Sequence, residues 1–238
     1  MLHSHHLKRW QHLSEDFVSK SNTDIINKYL LKIIYSGVYF KSNFMKEIVF
    51  YGRGGHGAVM ASELTAIAAY NSGMNSQAFP FFGGERRGAP VKAFARIDSK
   101  PILLHSQIYN PDIIVVLDAE LLHIAANEIS VQGLSKDGAI VINEKDENAA
   151  REAVKSINAK STNVFYIDAT SIAISLDLVV AGWPVINTVM LGALASATSI
   201  FSFSNLEKAI EGYWQAPIAK KNIDAARRGF TDVKKVSM

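Results

Sequence analysis

The residues that read most directly as chemistry are Gly52, Arg53, Gly54, Gly55, His56 and Gly57, a G-x-G-x-x-G cluster. It follows the strand-like run Met45 to Tyr51 and precedes a helix-like run from Ala58 to Ala69. Glycines at such a junction permit a tight turn and let a helix N-terminus approach an anion. A dinucleotide site of this kind also calls for an Asp or Glu roughly 20 residues further on, to hold the ribose hydroxyls. That window holds Asn71, Asn75, Ser76 and Gln77, and no acid. Arg86 and Arg87, which could meet a 2′-phosphate, come later than that role prefers. Three other uses stay open: a turn that packs the first helix on the sheet, a site for another phosphate or acidic group, and a seat for a neighbouring subunit's backbone. His56 adds a polar group that serves as readily in a structural hydrogen bond as in catalysis.

The second chemical stretch is Gln77 to Val91, with Phe79, Phe81, Phe82, two prolines, three glycines and the triplet Glu85-Arg86-Arg87. This mixture predicts a stiff, shaped loop. Aromatic anchors beside paired arginines suit a subunit interface, or a grip on an acidic ligand through planar guanidinium groups. A salt bridge from Glu85 to an arginine on a rigid turn is the plainer alternative. Asp118 and Asp168 each follow an apolar run, where ligand-facing residues of open α/β sheets stand; helix capping is the favoured role for Asp168 and an alternative for Asp118. His105, His123 and His56 lack metal-ligand spacing, so no metal site is expected.

The elements that must position these residues alternate. Apolar runs at 113–117, 139–142 and 164–167 read as strands covered on both faces, separated by amphipathic stretches at 119–129, 147–157 and 205–214. This pattern predicts an α/β, three-layer sandwich with a mostly parallel sheet and helices on both faces. Residues 91–97 and 102–105, joined by Asp98 to Pro101, read as an inserted β-hairpin. Between Asp177 and Glu207 lie 29 residues without Asp, Glu, Lys, Arg or His. Pro184 and the many small residues there favour a buried or subunit-facing helix from about Val185 to Thr198 over a membrane span.

The 238 residues carry 25 Lys+Arg, 22 Asp+Glu and no cysteine. The absent cysteine excludes a disulfide, a thiolate metal site, a cysteine nucleophile and a cysteine-ligated iron–sulfur cluster in this chain. Residues 1–44 hold six basic and three acidic side chains, so the net charge of +3 resides there and residues 45–238 are balanced. A balanced body gives no support for nucleic-acid binding. Residues 1–44 form an expected N-terminal extension, either a poorly ordered stretch ahead of the natural start or a native segment that packs a helix such as Ile25 to Ile34 on the body, and 45–238 a single α/β domain. The extension has neither a signal-peptide core nor the composition of a transit peptide, and the expected location is cytoplasmic.

Taken together, GRGGHG, FPFFGGERRGAPVKAFARID and the segment Ser106 to Asp112 resemble the gamma subunit of 2-oxoacid:ferredoxin oxidoreductases, the pyruvate:ferredoxin oxidoreductase group in particular. The resemblance runs from about Met45 to the low 230s and includes Asn187 to Ala193. It departs at His56, where the family more usually has glutamine. The resemblance implies one subunit of a complex that decarboxylates a 2-oxoacid on thiamine diphosphate, sends electrons through 4Fe–4S clusters to ferredoxin, and transfers the acyl group to coenzyme A. It implies alpha, beta and delta partners, and no cofactor bound by this chain alone. The glycine loop and Arg86/Arg87 would then line the side where coenzyme A enters, or dock the alpha subunit. Phe79, Phe81, Phe82, Asn187 and Gly192 would pack against partners, with self-association an alternative for the isolated chain. Pyruvate is the first choice of substrate. A free-standing NAD(P)-dependent oxidoreductase and a purely structural assembly subunit are the competing readings.

Overall fold

A computed structural model describes residues 44–81, 88–124, 134, 137–156 and 163–237. The first strand, β1 (Lys46–Arg53), is buried from Glu47 to Gly52 because it has sheet neighbours on both sides and helices above and below. Its alternating side chains serve two cores. Ile48 and Phe50 join the layer built on α1 (Ala58–Asn71), whereas Val49 and Tyr51 face the opposite layer with Leu121, Leu122 and Ala153.

Strands β2 (Asn75–Phe81) and β3 (Pro90–Asp98) follow, then β4 (Ile113–Val116), α2 (Glu120–Ile124), β5 (Ala139–Asn143), α3 (Glu147–Ser156) and β6 (Asn163–Ile167). The sheet order is β2-β3-β1-β4-β5-β6, closed at the far edge by a short β9 (Lys234–Lys235). β1, β4, β5 and β6 run parallel, while β2, β3 and β9 pair antiparallel. The mostly parallel α/β sheet read from the sequence is therefore present.

The hairpin read from residues 91–97 and 102–105 is not formed; an antiparallel hairpin is inserted one strand earlier. β3 pairs with β2, in a register running from Asn75–Asp98 to Phe81–Lys92. Residues 102–105 form no strand. The guanidinium of Arg96, 1% exposed, takes backbone in and just after this segment instead, donating to the carbonyls of Leu104 at 3.3 Å and Ser106 at 2.6 Å while its Nε donates to Glu47 at 2.9 Å.

This topology also removes the dinucleotide reading. In a dinucleotide-binding βαβ unit the strand after the glycine-loop helix lies in the parallel sheet built on the first strand. Here β2 has the direction of β1 but does not pair with it: β3 lies between the two and is antiparallel to both.

The remaining chain supplies α4 (Ala169–Ser175), a small β7 (Val179–Val180) and β8 (Trp183–Pro184) hairpin, α5 (Asn187–Thr198), α6 (Phe203–Tyr213) and α7 (Ala216–Asp232). α5 is buried from Asn187 through Ala195, so this part of the uncharged run is core, whereas Val179, Val180 and Trp183 in the same run are exposed. Among the described residues no helix is long and apolar enough to cross a membrane. α5 and α7 touch backbone to backbone: a Cβ on Gly192 would lie 1.8 Å from the carbonyl oxygen of Ala226, and one on Gly229 would lie 1.9 Å from that of Val189. Gly192, expected at a subunit contact, thus meets a helix of its own chain.

Candidate functional site at the carboxyl edge of the sheet

Open α/β sheets bind ligands beyond the carboxyl ends of their strands, where the strand order reverses. From β1 the chain travels first towards the β2–β3 edge and later, from β4, towards β6, so the reversal falls between β1 and β4. A crevice of about 730 Å³ opens there, lined by Arg53, His56, Asp118, Asn143, Lys145 and Trp183 among others. Its acceptors are set by the strand ends. Asn143 accepts from the backbone N–H groups of Ala169 and Thr170 and donates to the Leu117 carbonyl at 3.1 Å, tying β4, β5 and the start of α4 together.

The glycine loop forms one wall. Gly57 has φ of 83°, and a Cβ there would lie 3.0 Å or less from three atoms of the Asn187 side chain, so only glycine suits the position. Asn187, expected to pack against a partner, is buried inside its own chain and seats α5 against the start of α1; its amide donates to Met60 Sδ at 3.0 Å. Two loop amides are already committed: Gly54 N–H donates to Ala89 at 3.0 Å, and His56 N–H to Arg53 at 3.0 Å. Gly88 N–H returns a bond to the Gly54 carbonyl at 3.2 Å. The loop is thereby joined to the limb that follows residues 82–87.

Arg53 is equally committed. Its Nε donates to Asp118 at 2.5 Å, Nη2 to Glu120 at 3.1 Å and Nη1 to the Gly88 carbonyl at 3.3 Å. Asp118 also accepts from the Glu120 N–H at 3.0 Å, so it serves both readings of its position: it caps the short α2 and faces the crevice. Asp168 caps α4 through the Ser171 N–H at 2.9 Å. The His56 ring lies 5.4 Å from that of Trp183, and among the described residues its buried Nδ1 has no hydrogen-bond partner, standing 4.0 Å from Asp118 Oδ2. Burial holds the His56 pKa below the ordinary value; the Asp118 charge opposes this and the Arg53 charge adds to it. His56 therefore enters the crevice as a neutral ring at neutral pH.

Other sequence-read residues sit elsewhere. Phe79 lies against Phe94 and under the Arg96 guanidinium, each at 5.1 Å, and Phe81 ends β2 at 39% exposure. Phe82, Glu85, Arg86 and Arg87 lie outside the described residues. Sequence reasoning missed Asn143, Lys145 and Trp183. Asn143 ends a strand as Asp118 and Asp168 follow theirs, and the same rule would have found it.

A sequence profile of the family described as pyruvate ferredoxin/flavodoxin oxidoreductase matches residues 47–231, nearly the whole of the sheet and its helices. The chain belongs to this family, as a gamma subunit of 2-oxoacid:ferredoxin oxidoreductase. It is 44% identical over 187 residues to the pyruvate/ketoisovalerate oxidoreductases common subunit gamma of Thermococcus litoralis, covering 78% of this chain and 96% of that protein. It is 46% identical over 191 residues to pyruvate synthase subunit PorC of Methanocaldococcus jannaschii, covering 80% and 98%. Among solved structures it is similar to pyruvate oxidoreductase subunit PORC of Thermotoga maritima, with a TM-score of 0.68 at 36% identity, covering 81% of this chain and 98% of the other. In this family setting the crevice belongs to one subunit of a larger oxidoreductase.

Proposed function

We propose that this chain forms the coenzyme A-facing wall, together with a docking edge for the alpha subunit, in a pyruvate:ferredoxin oxidoreductase that also contains beta and delta subunits. The carrying observation is that the glycine loop and the limb after Arg87 are one surface, joined by the Gly54–Ala89 and Gly88–Gly54 backbone bonds at the carboxyl edge. The glycine loop thus meets the described end of the second motif, Gly88 and Ala89, at this edge.

The described crevice is better suited to the uncharged limb of coenzyme A than to its phosphates. Its cations are Arg53, already bound to two carboxylates, and Lys145, against Asp118, Glu120, Glu144 and Asp168. Phosphate recognition accordingly falls to Arg86 and Arg87, whose planar donors match phosphate oxygens. Thiamine diphosphate supplies the decarboxylation chemistry and iron–sulfur clusters carry electrons to ferredoxin. With no cysteine, this chain offers no thiolate for a cluster. It works as a cytoplasmic component of the complex and not alone.

Replacing Arg86 and Arg87 together by Gln tests the reading. An intact complex with a raised KM for coenzyme A supports it. A dissociated complex whose residual assembly binds coenzyme A normally makes the arginines a docking element only, and favours the purely structural reading.

A further inference from the structure

The glycine loop carries one cation, and the structure assigns it a task other than meeting a ligand. We propose that Arg53 is a positioning residue, fixing the limb that begins at Gly88 to the carboxyl ends of β1 and β4. The guanidinium reaches two separate pieces of chain at once: Asp118 and Glu120, where β4 passes into α2, and the Gly88 carbonyl. The planar fork is what allows this, because its donors diverge at fixed angles that an ammonium on a flexible stem does not reproduce. The side chain is 19% exposed and Asp118 12%, so the ion pair lies in the wall of the crevice and is shielded from competing water. The backbone completes the join, with Gly54 N–H bonded to Ala89 and Gly88 N–H bonded to Gly54. Gly88 has φ of 84°, and among the described residues nothing lies within 4 Å of the position a Cβ would take. The β1–β3 ladder reaches Arg53 opposite Pro90, and the hydrogen bonds from Arg53 and Gly54 extend that join by two residues to Gly88.

The consequence concerns the shape of the site. A cation already engaged by two carboxylates has little attraction left for a substrate anion, so the loop acts on the reaction through where it places the limb. The activity arm of the test rests on the proposed function above; the exchange arm does not.

The experiment uses the full chain, and the complex assembled around it, with Arg53→Lys, Arg53→Gln and Asp118→Asn. Deuterium exchange is followed at the amides of Gly54 and Gly88, with the α1 amides from Ala61 to Ala69 as the internal reference. We expect exchange about tenfold faster at both glycines in the two Arg53 variants alike, with α1 unchanged. Ferredoxin reduction by the complex falls in parallel, while the KM for the 2-oxoacid stays within about twofold. Asp118→Asn keeps the guanidinium but weakens its main acceptor and gives a smaller rise, which keeps the test open if an Arg53 variant fails to fold. Normal exchange and turnover in Arg53→Lys would mean that charge alone suffices, and would overturn the proposal. A raised 2-oxoacid KM with unchanged exchange would make Arg53 a substrate contact, and would overturn it equally. Faster exchange with normal turnover supports the positioning role and counts against the proposed function instead.

Discussion

Gly192→Ala gives the sharpest test of how this subunit is built. An added methyl at this position would lie 1.8 Å from the Ala226 carbonyl oxygen, 2.7 Å from its carbon and 2.9 Å from the Phe230 nitrogen. A carbon–oxygen contact settles at roughly 3.3 Å, so α5 and α7 must separate by about 1.5 Å at their crossing. Both obstacles are helix backbone, which cannot rotate aside as a side chain does. Overpacking of a buried site costs about 1–3 kcal/mol, and a backbone clash belongs at or above the top of that range. The better helix propensity of Ala returns about 1 kcal/mol. The net loss is about 2–3 kcal/mol, a fall in Tm of roughly 5–10 °C for a chain of this size. Denaturant titration of the full chain measures it, with Gly212→Ala as the control. Gly212 lies in α6 with open space at its Cβ position, and its replacement should stabilise by a few tenths to about 1 kcal/mol. If Gly192→Ala stays within about 0.5 kcal/mol of the parent while the complex fails to assemble, Gly192 faces a partner subunit and the intramolecular crossing is wrong.

Further outcomes follow from the buried titratable groups. Arg96→Gln removes the partner of Glu47 at 2.9 Å and the donors to Leu104 and Ser106, and should cost about 3–5 kcal/mol in denaturant titration, with part recovered in Glu47→Gln/Arg96→Met. His56 takes up its proton less readily in the folded chain than in the unfolded one, so its contribution to stability is intact above about pH 6.5 and is lost as the pH falls through its lowered folded value. His56→Gln should flatten stability between about pH 7 and 5 relative to the parent. By NMR titration, Asp118→Asn should lower the His56 pKa further, while Arg53→Gln should raise it.

The parallel strands were legible because burial on both faces leaves an unbroken apolar run, as at Ile113 to Val116 and Ala139 to Ile142. The junction from β1 through the glycine loop to α1 was legible for a similar reason, since close approach and a positive φ restrict the residue at Gly57. The hairpin partner was harder to read. Phe79-Pro80-Phe81 is a poor strand by propensity yet forms β2, because it pairs at the sheet's edge, where proline's missing N–H is tolerated. Ile102 to His105 looks strand-like, but the Arg96 side chain claims backbone carbonyls beside it, a long-range contact that no local pattern records. β9 was hidden in a different way, since Lys234-Lys235 reads as solvated surface and becomes an antiparallel edge only through pairing with Phe165 and Tyr166. At the site, Asp118 could be placed at a strand end from sequence, whereas its pairing with Arg53, 65 residues away, required the fold.

The most direct test is reconstitution of 2-oxoacid-dependent ferredoxin reduction from the separate subunits, with pyruvate and coenzyme A supplied and this chain present or omitted. The account predicts turnover only when the chain is included, no turnover by the chain alone, and a higher KM for coenzyme A in the Arg86→Gln/Arg87→Gln complex. Full turnover without this chain, with unchanged coenzyme A kinetics, would contradict it.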